Sequence, residues 1–138
     1  MTSKRIVIAE TIAESGLDRL RAAGFEVDVQ LDKTPEQMHA ILRGAQGLIV
    51  RSATMVDAAM LKAGSDLVVV ARAGVGLDNI DVEAATTQGV MVVNAPQSNV
   101  LSAAEHTMAL IMAIARNVPQ AHRSLMEGRW ERSKWEGI

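Results

Sequence analysis

The chain has 138 residues, of which 49% are hydrophobic and 22% are charged, and this balance predicts one folded domain, or one domain plus part of another, rather than a disordered chain. A net charge of −2 leaves no positive excess for binding nucleic acid or an acidic membrane surface. No cysteine is present and no apolar run approaches the roughly 20 residues that span a bilayer, so we expect a cytoplasmic protein without disulfides, thiolate metal sites or membrane spans.

Short apolar runs alternate with helix-like segments along most of the chain, and this alternation predicts parallel strands joined by helices. The predicted strands are Arg5–Ala9, Glu26–Gln30, Gly47–Arg51, Leu67–Arg72 and Val90–Asn94. The predicted helices between them are Glu14–Ala23, Pro35 to near Gly44, Val56–Ala63 and Asp81–Gln88. Five strands separated by helices predict an α/β, flavodoxin-like, doubly wound parallel sheet with strand order 2-1-3-4-5.

The pattern changes after the last strand, where Ser102 and Glu105 have the spacing of a capping box that opens a long helix. Every residue from Met108 to Ala115 is apolar, so we expect this helix to be buried on all sides, between two domains or two subunits. The sequence therefore predicts a domain over residues 1–98 and, over residues 99–138, a long interdomain or dimerisation helix followed by the start of another domain.

Two arginines follow neighbouring predicted strands at the edge where such sheets bind ligands. Arg51, with Ser52 beside it, ends the third strand, and Arg72 ends the fourth. Guanidinium groups match carboxylate and phosphate oxygens, so the pair can clamp a small anion. Surface ion pairing of both arginines is an equally open interpretation.

The loop after Arg72 contains Gly74, Val75 and Gly76, and small residues there leave backbone N–H groups able to face an anion. As a dinucleotide fingerprint the loop is poor, because Asn79 stands where a third glycine is expected. A plain turn between strand and helix is the other interpretation. The chain therefore offers a candidate anion site and only a weak cofactor site.

Other chemistries have less support. His106 has no evident carboxylate partner and is interpreted as a packing or capping residue, and no residue spacing indicates a metal site. A response-regulator receiver would need a phosphoacceptor aspartate where Arg51 stands, and an FMN site would need a glycine-rich loop after the first strand.

Three ordered blocks resemble the D-2-hydroxyacid dehydrogenase family: Arg72–Asp81, Val92–Asn99 and Ser102–Thr107. The blocks Leu48–Thr54 and Gly128–Arg132 are similar to the members that act on 3-phosphoglycerate. The resemblance covers nearly the whole chain, and several blocks in one order are far more specific than any single motif.

This resemblance implies an NAD-dependent oxidation of 3-phosphoglycerate to 3-phosphohydroxypyruvate in serine biosynthesis, in which a substrate-binding domain precedes a Rossmann cofactor domain. It assigns substrate binding to Arg51, Ser52, Arg72 and Gly74, and to the Val75 and Gly76 N–H groups, and it gives Val75 a minor contact with the cofactor. It also implies a homo-oligomer formed through the helix around Leu101–Arg116.

The chain departs from the family's pattern in one respect. The glycine-rich cofactor loop and the catalytic arginine, glutamate and histidine have no counterpart in it, and His106 does not match that histidine. We therefore expect the chain by itself to bind substrate without turnover. The alternatives are a self-associating or regulatory module built on the same segment, or another member of the family.

Overall fold

The computed structural model describes residues 3–138, which separate into a first unit that ends at Ser98 and a second unit that spans Asn99–Ile138. In the first unit the strands are β1 (Arg5–Ile8), β2 (Glu26–Val29), β3 (Gly47–Val50), β4 (Val69–Arg72) and β5 (Met91–Asn94). The helices between them are α1 (Glu14–Ala22), α2 (Pro35–Ile41), α3 (Ala58–Ala63) and α4 (Val82–Gln88).

All neighbouring strands are parallel, and their order is β2-β1-β3-β4-β5, which confirms the predicted flavodoxin-like sheet. In register, Val50 of β3 lies beside Arg72 of β4. Arg51 is therefore the first residue beyond β3 rather than its last. Both arginines lie at the carboxyl edge of the sheet, where parallel strands present ligand-binding loops.

The core of this unit lies on both faces of the sheet, which explains why its central strands are apolar runs without alternation. One face carries Leu48, Val50 and Val70 and packs against buried residues of α2, α3 and α4. The other face carries Ile6 and Ile8 and packs against α1. These buried side chains fix the positions of the strand ends, and therefore of the loops that follow them.

Backbone pairing moves the start of α3 from the predicted Val56 to Ala58. Val56 N–H donates to the Asn79 carbonyl at 2.8 Å, and Asp81 N–H donates to the Val56 carbonyl at 2.9 Å. Val56 therefore forms an isolated parallel bridge with Ile80, and Asp57 becomes the N-cap, its carboxylate accepting from Met60 N–H at 2.8 Å. Helix α2 begins with a capping box formed by Thr34 and Gln37.

The second unit contains the expected long helix, α5 (Val100–Ala115), and a further helix, α6 (Val118–Met126), that the sequence analysis did not predict. The capping box predicted at Ser102 and Glu105 is wrong. The helix begins at Val100, so Ser102 lies inside its first turn, and its hydroxyl donates to the Asn99 carbonyl at 3.1 Å. Across residues 3–138, no helix combines the length and apolar character required to cross a membrane.

The apolar residues of α5 are exposed in the single chain, and their burial against a second domain or subunit stays a prediction. Met108, Leu110, Ile111, Met112 and Ile114 are each about half exposed or more. The second unit's own short elements are too few to cover a helix that is apolar all round.

Candidate functional site

The candidate site consists of two loops at the carboxyl edge of the sheet. We call residues 51–57 the β3 loop and residues 73–81 the β4 loop. They are joined where Val56 N–H donates to the Asn79 carbonyl at 2.8 Å. The predicted site residues therefore belong to two adjacent segments of one edge.

Arg51 opens the β3 loop and is exposed, as is Ser52 beside it. Its backbone N–H donates to Glu10 Oε1 at 2.8 Å, while its Nη1 lies 3.4 Å from the Thr11 carbonyl oxygen. The Arg51 guanidinium thus extends over the segment that follows β1. Its remaining donors face solvent and are available to an anion.

Arg72 is half-buried and folds towards Arg51, because its Nε donates to the Arg51 carbonyl at 3.3 Å. Its guanidinium lies over Gly74, where an added Cβ would come within 2.8 Å of Cζ. Among residues 3–138, no carboxylate lies within 4.0 Å of either arginine. Surface ion pairing within the described chain therefore does not explain these two residues.

Internal hydrogen bonds hold the first part of the β4 loop. Gly74 N–H donates to the Arg72 carbonyl at 2.8 Å, and the Gly74 carbonyl accepts from Ala95 N–H at 2.8 Å. The Val75 carbonyl accepts from Asn94 Nδ2 at 2.7 Å. Within the described residues, the N–H groups of Val75 and Gly76 have no acceptor. The amide of Gly74 is thus occupied, and what Gly74 offers is room for the Arg72 side chain.

Glu10 is a residue of this edge that the sequence analysis missed. Its carboxylate accepts from the backbone N–H groups of Arg51 at 2.8 Å, Ala53 at 3.2 Å and Thr54 at 3.0 Å. Burial alone would raise the pKa of Glu10, but these N–H donors outweigh it and hold that pKa below the usual range for glutamate. The signal in the sequence is a charged residue directly after an apolar strand, at the edge where the strand ends meet.

Asn79 is the second residue whose role was missed. It is buried, and its Nδ2 donates to the carbonyls of Arg51 at 2.8 Å and Thr54 at 2.7 Å. Its Oδ1 is buried without a partner in the part of the chain that the structure describes. In the sequence, Asn79 stands where a cofactor loop would have its third glycine. In the structure, the Asn79 side chain joins the β4 loop to the β3 loop.

The β4 loop does not have the pattern of a dinucleotide pyrophosphate loop. In a dinucleotide loop the third glycine lets the following helix pack closely against the strand, and here the Asn79 side chain fills that position as a bridge between the two loops. The helix that follows, α4, has only seven residues. Within residues 3–138 there is also no cluster of three histidine, aspartate or glutamate residues that could hold a metal ion.

Comparison with known proteins adds to this geometry. The family model described as D-isomer specific 2-hydroxyacid dehydrogenase, catalytic domain, matches residues 6–132. A D-3-phosphoglycerate dehydrogenase from Archaeoglobus fulgidus is 46% identical over 134 residues, which make up 97% of this chain and 25% of that protein. The chain thus spans about a quarter of the length of the relatives that it matches in sequence.

Solved structures show the same likeness. The TT0316 protein from Thermus thermophilus is 30% identical, with a TM-score of 0.84 over 97% of this chain and 45% of its own. A 3-phosphoglycerate dehydrogenase from Entamoeba histolytica, solved with bound NAD+, is 32% identical, with a TM-score of 0.73 over 83% of this chain and 40% of its own. The similarity in sequence is thus matched by similarity in fold.

Proposed function

Because this chain belongs to the D-isomer specific 2-hydroxyacid dehydrogenase family, we propose that its first unit binds the anionic groups of a small 2-hydroxy acid. The observation that carries this proposal is the pair Arg51 and Arg72, joined at one edge of the sheet with no carboxylate partner among residues 3–138. Each guanidinium group at that edge can give a carboxylate or phosphate charge-assisted hydrogen bonds.

The substrate that we propose is 3-phosphoglycerate, which carries an anionic group at each end. Relatives that match nearly all of this chain are D-3-phosphoglycerate dehydrogenases. In our assignment the two arginines, with Ser52 at their side, hold the anionic groups, and the N–H groups of Val75 and Gly76 receive the carboxylate. Gly74 contributes by leaving space for the Arg72 guanidinium.

For the longer enzyme to which such a segment would belong, we propose the NAD-dependent oxidation of 3-phosphoglycerate to 3-phosphohydroxypyruvate. This chain's part is to bind and orient the substrate anion, and Val75 is its nearest candidate for a contact with the cofactor. No described residue is assigned to proton or hydride transfer, so we expect the chain by itself to form no NADH when mixed with NAD and 3-phosphoglycerate.

Calorimetric titration of the chain with 3-phosphoglycerate tests the assignment. Arg51→Ala and Arg72→Ala should each weaken binding by about 10- to 100-fold, because a hydrogen bond to a charged group contributes roughly 1.5–3 kcal/mol. Arg21→Ala is the matched control, since that arginine is exposed on α1 and ion-paired with Glu14 and Asp18. Unchanged affinity in both site variants would rule out the arginine pair as the substrate site.

A second candidate function is self-association through α5. The observation that favours it is the run of exposed apolar side chains on that helix, which a second copy of the chain could cover. Analytical ultracentrifugation over a range of concentrations measures this directly. A monomer that persists at high micromolar concentration would contradict it.

A further inference from the structure

The β3 loop has no regular structure of its own, and a carboxylate from a neighbouring segment holds one side of it. Glu10, two residues after the end of β1, accepts from three backbone N–H groups of the loop, those of Arg51, Ala53 and Thr54. A carboxylate has enough lone pairs to accept all three bonds. One side chain therefore fixes the backbone of the loop over four consecutive residues.

Asn79 holds the opposite side of the same loop through carbonyl groups. Its Nδ2 donates to the carbonyls of Arg51 and Thr54, and Arg72 Nε donates to the Arg51 carbonyl as well. The backbone N–H and C=O of Arg51 are both occupied as a result. Arg51 cannot shift without disturbing Glu10, Asn79 or Arg72, which links the two arginines through one residue's backbone.

The position of Glu10 also explains why the anion site lies at the ends of β3 and β4. In a sheet of order β2-β1-β3-β4-β5 the winding reverses between β1 and β3, and ligands of such sheets bind at this reversal. Here the loop amides at the reversal are already taken by the chain's own carboxylate. The N–H groups of Arg51, Ala53 and Thr54 are therefore not open to an external anion.

The amide nitrogen of Asn79, rather than its oxygen, makes the contacts that hold the β3 loop. Asn79 Oδ1 is buried and has no hydrogen-bond partner within the described residues, a situation that folded proteins usually avoid. An apolar residue of similar shape would remove that buried oxygen, but it could not donate to the two carbonyls of the β3 loop.

We propose that Glu10 and Asn79 are positioning residues that set the geometry of Arg51 and Arg72 for the substrate anion. They do not touch the anion themselves; they act through the backbone of the β3 loop. The inference rests on the proposed function, because it takes the two arginines as the groups that bind substrate. Its prediction is that affinity depends on Glu10 and Asn79 beyond their effect on folding.

The test uses 3-phosphoglycerate as the probe and measures its dissociation constant by calorimetry beside the thermal unfolding midpoint. The variants are Glu10→Gln, which replaces one accepting oxygen by an N–H donor, and Asn79→Asp, which replaces the two-proton donor by an acceptor. Leu42→Ala is the control, since Leu42 is fully buried at the C-terminal end of α2, away from the loop. We expect Glu10→Gln to weaken binding at least tenfold. Leu42→Ala should bind 3-phosphoglycerate as the wild-type chain does, although its thermal unfolding midpoint is equal to or lower than that of Glu10→Gln.

A readout independent of affinity comes from amide hydrogen exchange. In Glu10→Gln the N–H groups of Ala53 and Thr54 should exchange faster than in the wild-type chain. If Asn79→Asp does not fold, the inference is tested with Glu10→Gln. The inference is overturned if folded Glu10→Gln binds 3-phosphoglycerate as the wild-type chain does while Arg51→Ala does not, or if Leu42→Ala loses affinity in step with its midpoint. If the wild-type chain and Arg51→Ala bind equally, the proposed function itself fails, and the inference fails with it.

Discussion

The two units of this chain differ in the burial of their apolar side chains. In the first unit the side chains of β1, β3 and β4 are buried from both faces of the sheet, and residues such as Leu48 and Leu61 are completely inaccessible. In the second unit no residue of α5 is buried, although that helix is the most apolar of the chain. The same kind of side chain therefore stabilises the first unit and leaves the second with an uncovered surface.

The two units differ in how far each buries its own apolar residues. The first unit has a core on each face of its sheet, which buries most of β1, β3 and β4, while the edge strands β2 and β5 remain partly exposed. The second unit buries Ser124 but none of the large apolar residues of α5. Substitutions of matched residues in the two units can therefore measure how far the contrast holds in solution.

The largest effect should come from truncating the same residue type in each unit. Leu61 is 0% exposed and Leu110 is 49% exposed. Leu61→Ala should lower the free energy of unfolding by about 2–5 kcal/mol, because it removes buried methyl groups and leaves a cavity. Leu110→Ala should change it by less than about 0.5 kcal/mol.

Urea denaturation measures both values, at a concentration where light scattering shows a monomer. Similar losses in the two variants would mean that Leu110 is covered in the monomer in solution, and the contrast between the units would not hold.

A charge on α5 should weaken self-association by at least about tenfold, since covering one isoleucine contributes roughly 1.5–3 kcal/mol and a covered lysine would also lose hydration. The variant is Ile111→Lys, and the control is Val68→Lys, at a residue that is exposed in the first unit to a similar extent. Sedimentation equilibrium measures the association constants. Equal weakening by both substitutions would point to net charge rather than to the helix surface.

The sheet was predictable from sequence because its signals are local and repeated. Each strand is an apolar run bounded by polar or glycine residues, and the order 2-1-3-4-5 was the simplest choice for five such units with right-handed connections. The cap of α2 was predictable for the same reason, since Thr34 and Gln37 lie three residues apart. These features depend on neighbours in sequence, which a single sequence displays.

The details of the site were not predictable, because they depend on residues far apart in the chain. Glu10 and the β3 loop are 41 or more residues apart, and Asn79 reaches the same loop from the other side. The sequence indicates where a strand ends, but it does not indicate which distant backbone groups a side chain at that end will contact. The error at the start of α5 has a different origin: Ser102 and Glu105 have the spacing of a capping box, yet the helix continues through them.

Helix caps offer a smaller and sharper comparison between the units. Asp57 caps α3 with a side-chain hydrogen bond to Met60 N–H, whereas Asn99 precedes α5 without a side-chain cap. Asp57→Ala should lower the free energy of unfolding by about 1 kcal/mol, and Asn99→Ala should leave it nearly unchanged. Thermal denaturation of the two variants checks this. A loss at Asn99 as large as that at Asp57 would mean that Asn99 has a contact in solution that its backbone position does not reveal.

The smallest expected effect is the loss of folding stability at low pH, to which one glutamate in each unit contributes. Hydrogen bonds from the Ser124 hydroxyl and from Lys134 lower the pKa of Glu131 to about 2, and the N–H donors of the β3 loop lower that of Glu10 despite its burial. Each group therefore stabilises the folded chain fully above the unfolded pKa of about 4.3, and this stabilisation is lost as pH falls through the folded pKa.

Carboxyl carbon chemical shifts followed from pH 6 downward would give both folded pKa values in one titration, with Glu10→Gln and Glu131→Gln used to assign the signals. We expect both midpoints below about 4.3. Glu131 is held by Ser124 and Lys134, which lie close to it in sequence, so Ile111→Lys should leave its titration midpoint unchanged. Leu42→Ala should likewise leave the titration midpoint of Glu10 unchanged. A Glu10 midpoint at or above the unfolded value would mean that its carboxylate does not hold the β3 loop in solution, and the first unit would then lack the fixed edge on which its proposed substrate site depends.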